Sequence, residues 1–270
     1  MARPIVLLTD YGGDDFYAGV TRAVLAASSP SSLVVDLSHD IPAHDIARAS
    51  FVLARSLPYL PHDAVVVVVV DPGVGTARRG VVIDCDGRTL VGPDNGFASD
   101  LLAAGMPADC YRLDEAAAQR ETGRAVCGTT FHGRDLFAPV AAAMARGAKV
   151  SSLGTSTQSI VMLRDVPSVS VDGGRVRGRG RHIDRFGNVL SDISRGVLEK
   201  VFGQVACVRV RVDEIDAGQL VRSYSDGARG RVAALINGWD LLEAAVNQGS
   251  AAQVLRAERP ELVRFDVSAA

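Results

Sequence analysis

The chain has 270 residues, 47% of them hydrophobic and 22% charged, with a formal net charge of −2. That is the composition of a globular protein with a substantial core, long enough for one large domain or two ordinary ones. The nearly balanced charge argues against a nucleic-acid or anionic-membrane partner, and no apolar run approaches the ~18 residues of a membrane span.

The chain starts Met1-Ala2-Arg3-Pro4 and enters an apolar run, Ile5 to Leu8, that closes at Thr9-Asp10. Four apolar residues are too few for a secretory signal and fit a first strand, so a cytoplasmic location is expected. Helical spacing over 15–27 places Phe16, Val20, Val24 and Leu25 on one side. A second strand follows at 33–35 and a second helix over 45–57. Six valines, Val65 to Val70, fit a strand buried on both faces of a parallel sheet. Runs at 81–83 and 89–91 form a strand pair around an Asp86-Gly87 turn, and a helix over 133–147 closes the half. Strands alternating with helices predict an α/β domain with a mostly parallel sheet, and ligands of such sheets bind at the carboxyl edge of the strands. Asp10, Asp36 and Asp71 stand at or near those ends. After about residue 165 the pattern turns to short β-like runs separated by turn signals, at 169–171, 175–181, 188–190, 205–212, 231–236 and 262–267. They predict a smaller all-β, barrel-like domain. The expected domains are residues 1–163 and 164–270.

Candidate site residues follow from this layout. Asp10, ending a buried strand, has the chemistry to accept hydrogen bonds from the vicinal hydroxyls of a ribose. Asp15 reads either as a helix N-cap or as a ligand group. Asp71 and Arg78, in Asp71-Pro72-Gly73-Val74-Gly75-Thr76-Ala77-Arg78, follow the strongest strand and are either a surface ion pair or part of a site. His132 precedes a helix and caps it, fills the core, or joins Asp71 and Arg78 in a charged cluster that activates water. Asp184 and Asn188 make a turn, or the Asn188 amide reads the edge of a base. Trp239 stacks on an aromatic ligand or fills the barrel core. The arginines at 175–185 lack interleaved aromatics and read as a solvated hairpin. His39, His44, Asp40 and Asp45 read as a loop and a helix start, with His44 a candidate for the sugar site. The four cysteines, Cys85, Cys110, Cys127 and Cys207, show no Cys-x-x-Cys spacing. They are expected to be reduced and mostly buried, without a zinc site.

Six motifs in order resemble the S-adenosyl-methionine hydroxide adenosyltransferase family, which is related to the fluorinase and chlorinase enzymes. They are Asp-x-Gly-x-x-Asp-x-Tyr at 10–17, Asp-Pro-Gly-Val-Gly-Thr at 71–76 with Arg78, Pro-Asp-Asn-Gly at 93–96, Thr-Phe-His-Gly-Arg-Asp at 130–135, Asp-Arg-Phe-Gly-Asn at 184–188 and Ala-Val-Asn-Gln-Gly-Ser at 245–250. The resemblance covers nearly the whole chain. It implies an N-terminal α/β domain, a C-terminal β-barrel, and a homotrimer whose sites lie between the N-terminal domain of one subunit and the C-terminal domain of its neighbour. It implies hydrolysis of S-adenosyl-L-methionine to adenosine and methionine, with no metal and no further cofactor. By the same resemblance Asp10 holds the ribose, Asp15 and Asp184 hold the methionine amino group near Tyr17, and Asn188 contacts adenine. Asn95, Phe186 and Trp239 join the substrate contacts, and Asp71, Arg78 and His132 are the water-activating triad. Two departures stand out. Asn237-Gly238-Trp239-Asp240 replaces the usual Asn-Ser-Trp-Gly, removing a serine hydroxyl from the methionine carboxylate, and Tyr11 replaces the common Phe. The rival readings are a halogenase and a non-catalytic sensor of the same ligand. A carboxylate at position 71 repels a halide.

Overall fold

The computed structural model describes residues 2–123, 128–164, 166 and 168–270. The fold divides into two compact units, residues 1–166 and 167–270. It has the expected class, an α/β N-terminal region and an antiparallel, barrel-like C-terminal region.

In the first unit β1 (Ile5–Thr9), β2 (Val34–Ser38), β3 (Val65–Val69), β4 (Gly80–Cys85), β5 (Arg88–Pro93), β6 (Ala108–Leu113) and β7 (Gly154–Ser156) form one sheet in the order β2-β1-β3-β5-β4-β6-β7. The pairs β1–β2, β1–β3 and β3–β5 are parallel, and β4, β6 and β7 extend the sheet antiparallel. The valine run is buried on both faces, as its composition requires. Val65, Val67 and Val69 pack with α1 (Tyr17–Ser28), α4 (Glu115–Thr122) and α5 (Ala138–Ala145). Val66, Val68 and Val70 pack on the other side with α2 (Ile46–Ser56) and α3 (Ser99–Ala103). The result is a three-layer unit in which β1, β3 and β5 lie side by side and end at one edge.

Several local expectations are corrected. Asp36 lies inside β2, paired across to Leu7, and not at a strand end. Asp15 is not the cap of α1: Phe16 holds that position without a side-chain cap, and Asp15 Oδ1 accepts from the Phe16 amide at 2.7 Å. The helix expected from 133 opens as a π turn, Gly133–Phe137, before α5. The sequence reading passed over α3, β6 and α4. Their strand is half-exposed and their helices are short, so apolar periodicity is weak there. Cys85 is buried, but Cys207 is exposed on the other unit, against the expectation of burial; Cys127 lies outside the described residues.

The second unit is an antiparallel sheet of β8 (Ser170–Asp172), β9 (Arg175–Ile183), β10 (Val189–Ser194), β11 (Val208–Val212), β12 (Ile215–Gln219), β13 (Val232–Ile236), β14 (Leu241–Val246) and β15 (Arg264–Ala269), with α6 (Arg195–Phe202) and α7 (Ala251–Leu255) at its margins. The order is β12-β11-β15-β9-β10-β14-β13, with β8 added on β9. The Val221 amide donates to the Ala234 carbonyl at 2.9 Å, drawing the two edges together and nearly closing the barrel. Period-two alternation builds it: Val208, Val210 and Val212 point inward while Arg209 and Arg211 face out. The arginines of β9 alternate in the same way; Arg175 and Arg177 lie 3.8 and 3.4 Å from Asp266 on β15. Among the described residues no helix is long and apolar enough to cross a membrane.

Candidate active site

The loops leaving β1 and β3 carry Asp10, Asp71 and Arg78. After β3, Asp71 opens a tight turn in which the Val74 amide bonds the Asp71 carbonyl and Thr76 Oγ1 bonds the Gly73 carbonyl. The turn returns Arg78 onto Asp71. Arg78 Nε donates to both Asp71 oxygens at 3.0 Å, and Nη2 donates to Oδ2 at 2.5 Å. The same Nη2 lies 2.8 Å from His132 Nδ1. A guanidinium only donates, so Nδ1 accepts, and a neutral His132 carries its proton on Nε2. The pair is nearly dry: the side chains of Arg78 and Asp71 are 10% and 5% exposed. His132 is buried, and the Phe137 ring lies under the guanidinium at 5.1 Å. Arg78 Nη1 is buried and has no hydrogen-bond partner among the described residues.

Next to this cluster, the Asp10 carboxylate is fixed by the backbone. Its Oδ2 accepts from the His44 amide at 2.9 Å. His44 adopts φ 68°, a left-handed conformation that is strained for a non-glycine residue and that tends to persist at functional sites. The Gly12 amide bonds the His39 carbonyl at 2.8 Å, and Thr9 Oγ1 meets His39 Nδ1 at 2.7 Å. Tyr17, at the start of α1, packs with Tyr11 and edge-on against Phe131, with centroids 6.0 and 5.2 Å apart. Asn95 Nδ2 donates to the Val70 carbonyl at 2.8 Å, beside the Asp71 turn. Asp15 stays exposed and joins none of these groups. The structure therefore brings Asp71, Arg78 and His132 together, links Asp10 to the His44 backbone, and leaves Asp15 apart.

In the second unit, Asp184 organises the turn from β9 to β10. Its Oδ1 accepts from the Phe186 and Asn188 amides, each at 2.9 Å, and its Oδ2 from Asn188 Nδ2 at 2.9 Å. Gly187 makes the turn possible: its φ is 82°, and a Cβ there would overlap the Ser250 side chain. Asp184, Phe186 and Asn188 line a cavity of about 590 Å³ with Tyr224, Val246, Gln248 and Gly249. Trp239 is 43% exposed in the turn after β13, so it does not fill the barrel core, and it is not among the cavity-lining residues. Sequence reasoning missed Tyr224 and Glu243. A lone carboxylate inside Leu241-Leu242-Glu243-Ala244-Ala245-Val246 was the available signal, because an unpaired charge is not buried without a reason.

Comparison with known proteins assigns the lineage. The N-terminal domain of the SAM hydroxide adenosyltransferases matches residues 5–154, and the C-terminal domain matches residues 179–264. The (R)-S-adenosyl-L-methionine hydrolase of Thermus thermophilus is 38% identical over 257 residues, spanning 94% of this chain and 95% of that protein. The enzyme of the same name from Salinispora tropica is 36% identical, spanning 93% of each. The solved structure of an uncharacterised conserved protein from Thermotoga maritima superposes with a TM-score of 0.88 at 30% identity, covering 98% of this chain and 99% of that one. The chain belongs to the SAM hydroxide adenosyltransferase family.

Proposed function

We propose that the protein hydrolyses S-adenosyl-L-methionine to adenosine and L-methionine by attack of a water-derived oxygen at the ribose C5′. The observation that carries this reading is the buried Asp71–Arg78–His132 cluster at the end of β3, in a chain whose relatives are named for this hydrolysis. The sulfonium leaves as a neutral thioether, so the leaving group needs no acid. As the C5′–O bond forms, the C5′–S bond breaks and its electron pair stays on sulfur. What the protein has to supply is a desolvated, aligned nucleophile.

Arg78 Nη1 and the His132 Nε2 proton are the donors not used within the cluster, and they hold the nucleophilic oxygen. Their positive field lowers the pKa of bound water, and Asp71, fixed by Arg78, orients the cluster and takes up the proton. Asp10 holds the ribose hydroxyls, with His44 beside it. Asp15, Tyr17 and Asp184 serve the methionine moiety. Asn188 reads adenine, and Asn95, Phe186 and Trp239 complete the contacts. Residues 1–163 would thus carry the chemistry, the ribose contact and part of the methionine contact, and 164–270 the adenine contact and the rest, in a cytoplasmic homotrimer that sedimentation would register as three chain masses.

The test is incubation with S-adenosyl-methionine and chloride without added metal, followed by chromatography. Adenosine and methionine are the expected products. 5′-Chloro-adenosine would make the protein a halogenase, and tight binding without product would make it a sensor.

A further inference from the structure

Glu243 lies mid-strand in β14 and is 2% exposed, yet it forms no ion pair among the described residues. Both of its oxygens are engaged by neutral donors: Tyr224 Oη donates to Oε1 at 2.9 Å and Asn237 Nδ2 to Oε2 at 2.7 Å. Two donors on two oxygens is the pattern of an ionised carboxylate. Burial, with a smaller contribution from the Asp184 charge, pushes its carboxyl above the usual range, and the two donors pull the other way. An apolar side chain would fill this barrel position without that desolvation cost, so the carboxylate calls for an explanation outside packing.

Its two partners supply one. Tyr224 is a wall of the cavity that Asp184 and Asn188 also line, and its phenol is pushed up to about 12 by burial and by the Glu243 charge. Asn237 ties the following turn, its Oδ1 accepting from the Trp239 and Leu241 amides at 2.9 and 3.1 Å. One buried carboxylate therefore fixes an aromatic wall and an adjoining turn.

We infer that Glu243 is a positioning residue for the nucleoside cavity, acting through the Tyr224 hydroxyl to hold that ring against the ligand and through Asn237 to hold the 237–241 turn. The inference rests on the proposed placement of adenosine in this cavity. Glu243 itself touches no reacting atom, so its loss weakens binding and leaves the chemical step in place.

The experiment is a double-mutant cycle in the full chain, Tyr224→Phe, Glu243→Gln and the pair, read by calorimetric titration with adenosine and by kcat and KM on S-adenosyl-methionine. Tyr224→Phe deletes one hydroxyl from a half-exposed side chain, so it remains informative even if Glu243→Gln folds poorly. Each single change is expected to weaken adenosine binding and raise KM about tenfold, the loss of one charge-assisted hydrogen bond, with kcat held within about threefold. The pair is expected to match the worse single variant, because both delete the same link. Penalties that multiply to about a hundredfold, an unchanged KM and adenosine affinity in Tyr224→Phe, or a kcat loss at constant KM would each overturn the inference. An inactive wild-type protein would sink the assigned reaction instead, and the adenosine titration would still decide the role of Glu243.

Discussion

The two units solve opposite electrostatic problems. In the first, a carboxylate and a guanidinium neutralise each other at the end of β3, and the unspent groups are donors on Arg78 and His132. In the second, among the described residues, Asp184 and Glu243 are satisfied by neutral amides and a phenol, and no Lys or Arg lines the cavity. On the proposed function, the first environment polarises an oxygen nucleophile, while Asp184 in the second keeps negative charge for a cationic ligand group. The contrast can be broken at either end.

The largest effect is expected at Asp71. Asp71→Asn keeps the shape of the side chain but removes the charge and proton-accepting capacity that Arg78 frames. Turnover should fall about a thousandfold, within the usual range for losing an acid–base group, while KM or substrate affinity changes little. Full activity measured by product chromatography would remove Asp71 from the chemistry. Arg78→Lys comes next. The guanidinium uses Nε and Nη2 on Asp71 and Nη2 again on His132, a fork that a lysine point charge cannot reproduce. A loss of about a hundredfold in kcat is expected from disrupted electrostatic preorganisation. Adding Asp71→Asn should cost far less than the product of the two losses, because the residues act as one unit. Multiplying losses would show two independent roles.

How far the sequence carried this picture differs between the units for a physical reason. A parallel sheet buried on both faces leaves an unbroken apolar run, so Val65 to Val70 announced β3 and everything that follows its end. Asp71 follows that run directly, Arg78 stands seven residues on, and His132 precedes the apolar segment that ends in α5; that the three belong together was legible from the order of the motifs. The half-exposed β6 and the short α3 and α4 left no such trace. In the barrel, β14 carries Glu243 on an otherwise apolar run, and that charge breaks the continuous apolar pattern of a buried strand. Its partners, Tyr224 and Asn237, come from before and after β13, a closeness set by strand pairing that residue spacing does not express. The π turn at 133–137 was hidden for another reason, since helical periodicity does not distinguish it from the α-helix that follows.

On the recognition side, the turn made by Asp184 and the ligand role proposed for it predict different outcomes. Asp184→Asn replaces one acceptor oxygen with a donor facing the Phe186 and Asn188 amides or the Asn188 side chain. If Asp184 also holds the methionine amino group, KM should rise about tenfold, matching the loss of about 1.4 kcal/mol of binding, with kcat largely kept. A lower melting temperature at constant KM would reduce Asp184 to a structural turn residue.

The smallest effect tests whether the first unit holds any unused polarity. Tyr11 feels both carboxylates of its site: burial, and then the charges of Asp10 and Asp71, push its phenol well above the ordinary range. The hydroxyl is buried without an aligned hydrogen bond among the described residues. Thr21 Oγ1 is close enough to oppose the shift and gives its own proton to the Tyr17 carbonyl at 2.9 Å, so toward Tyr11 it can only accept, without good alignment. The hydroxyl occupies the space that a Cβ at Gly133 would need, directly after His132. An unsatisfied buried hydroxyl costs about 1–3 kcal/mol, so Tyr11→Phe should raise stability by up to roughly that amount in thermal or denaturant unfolding. The ring, which packs with Tyr17 and Phe131, is retained. With the chemistry confined to Asp71, Arg78 and His132, kcat should stay within about twofold of wild type, well short of the roughly hundred- to ten-thousandfold losses that mark a proton-transfer group. A clear fall in kcat, with stability unchanged, would mean that the hydroxyl exchanges its partners during turnover, and the electrophilic cluster would then have to be extended from three side chains to four.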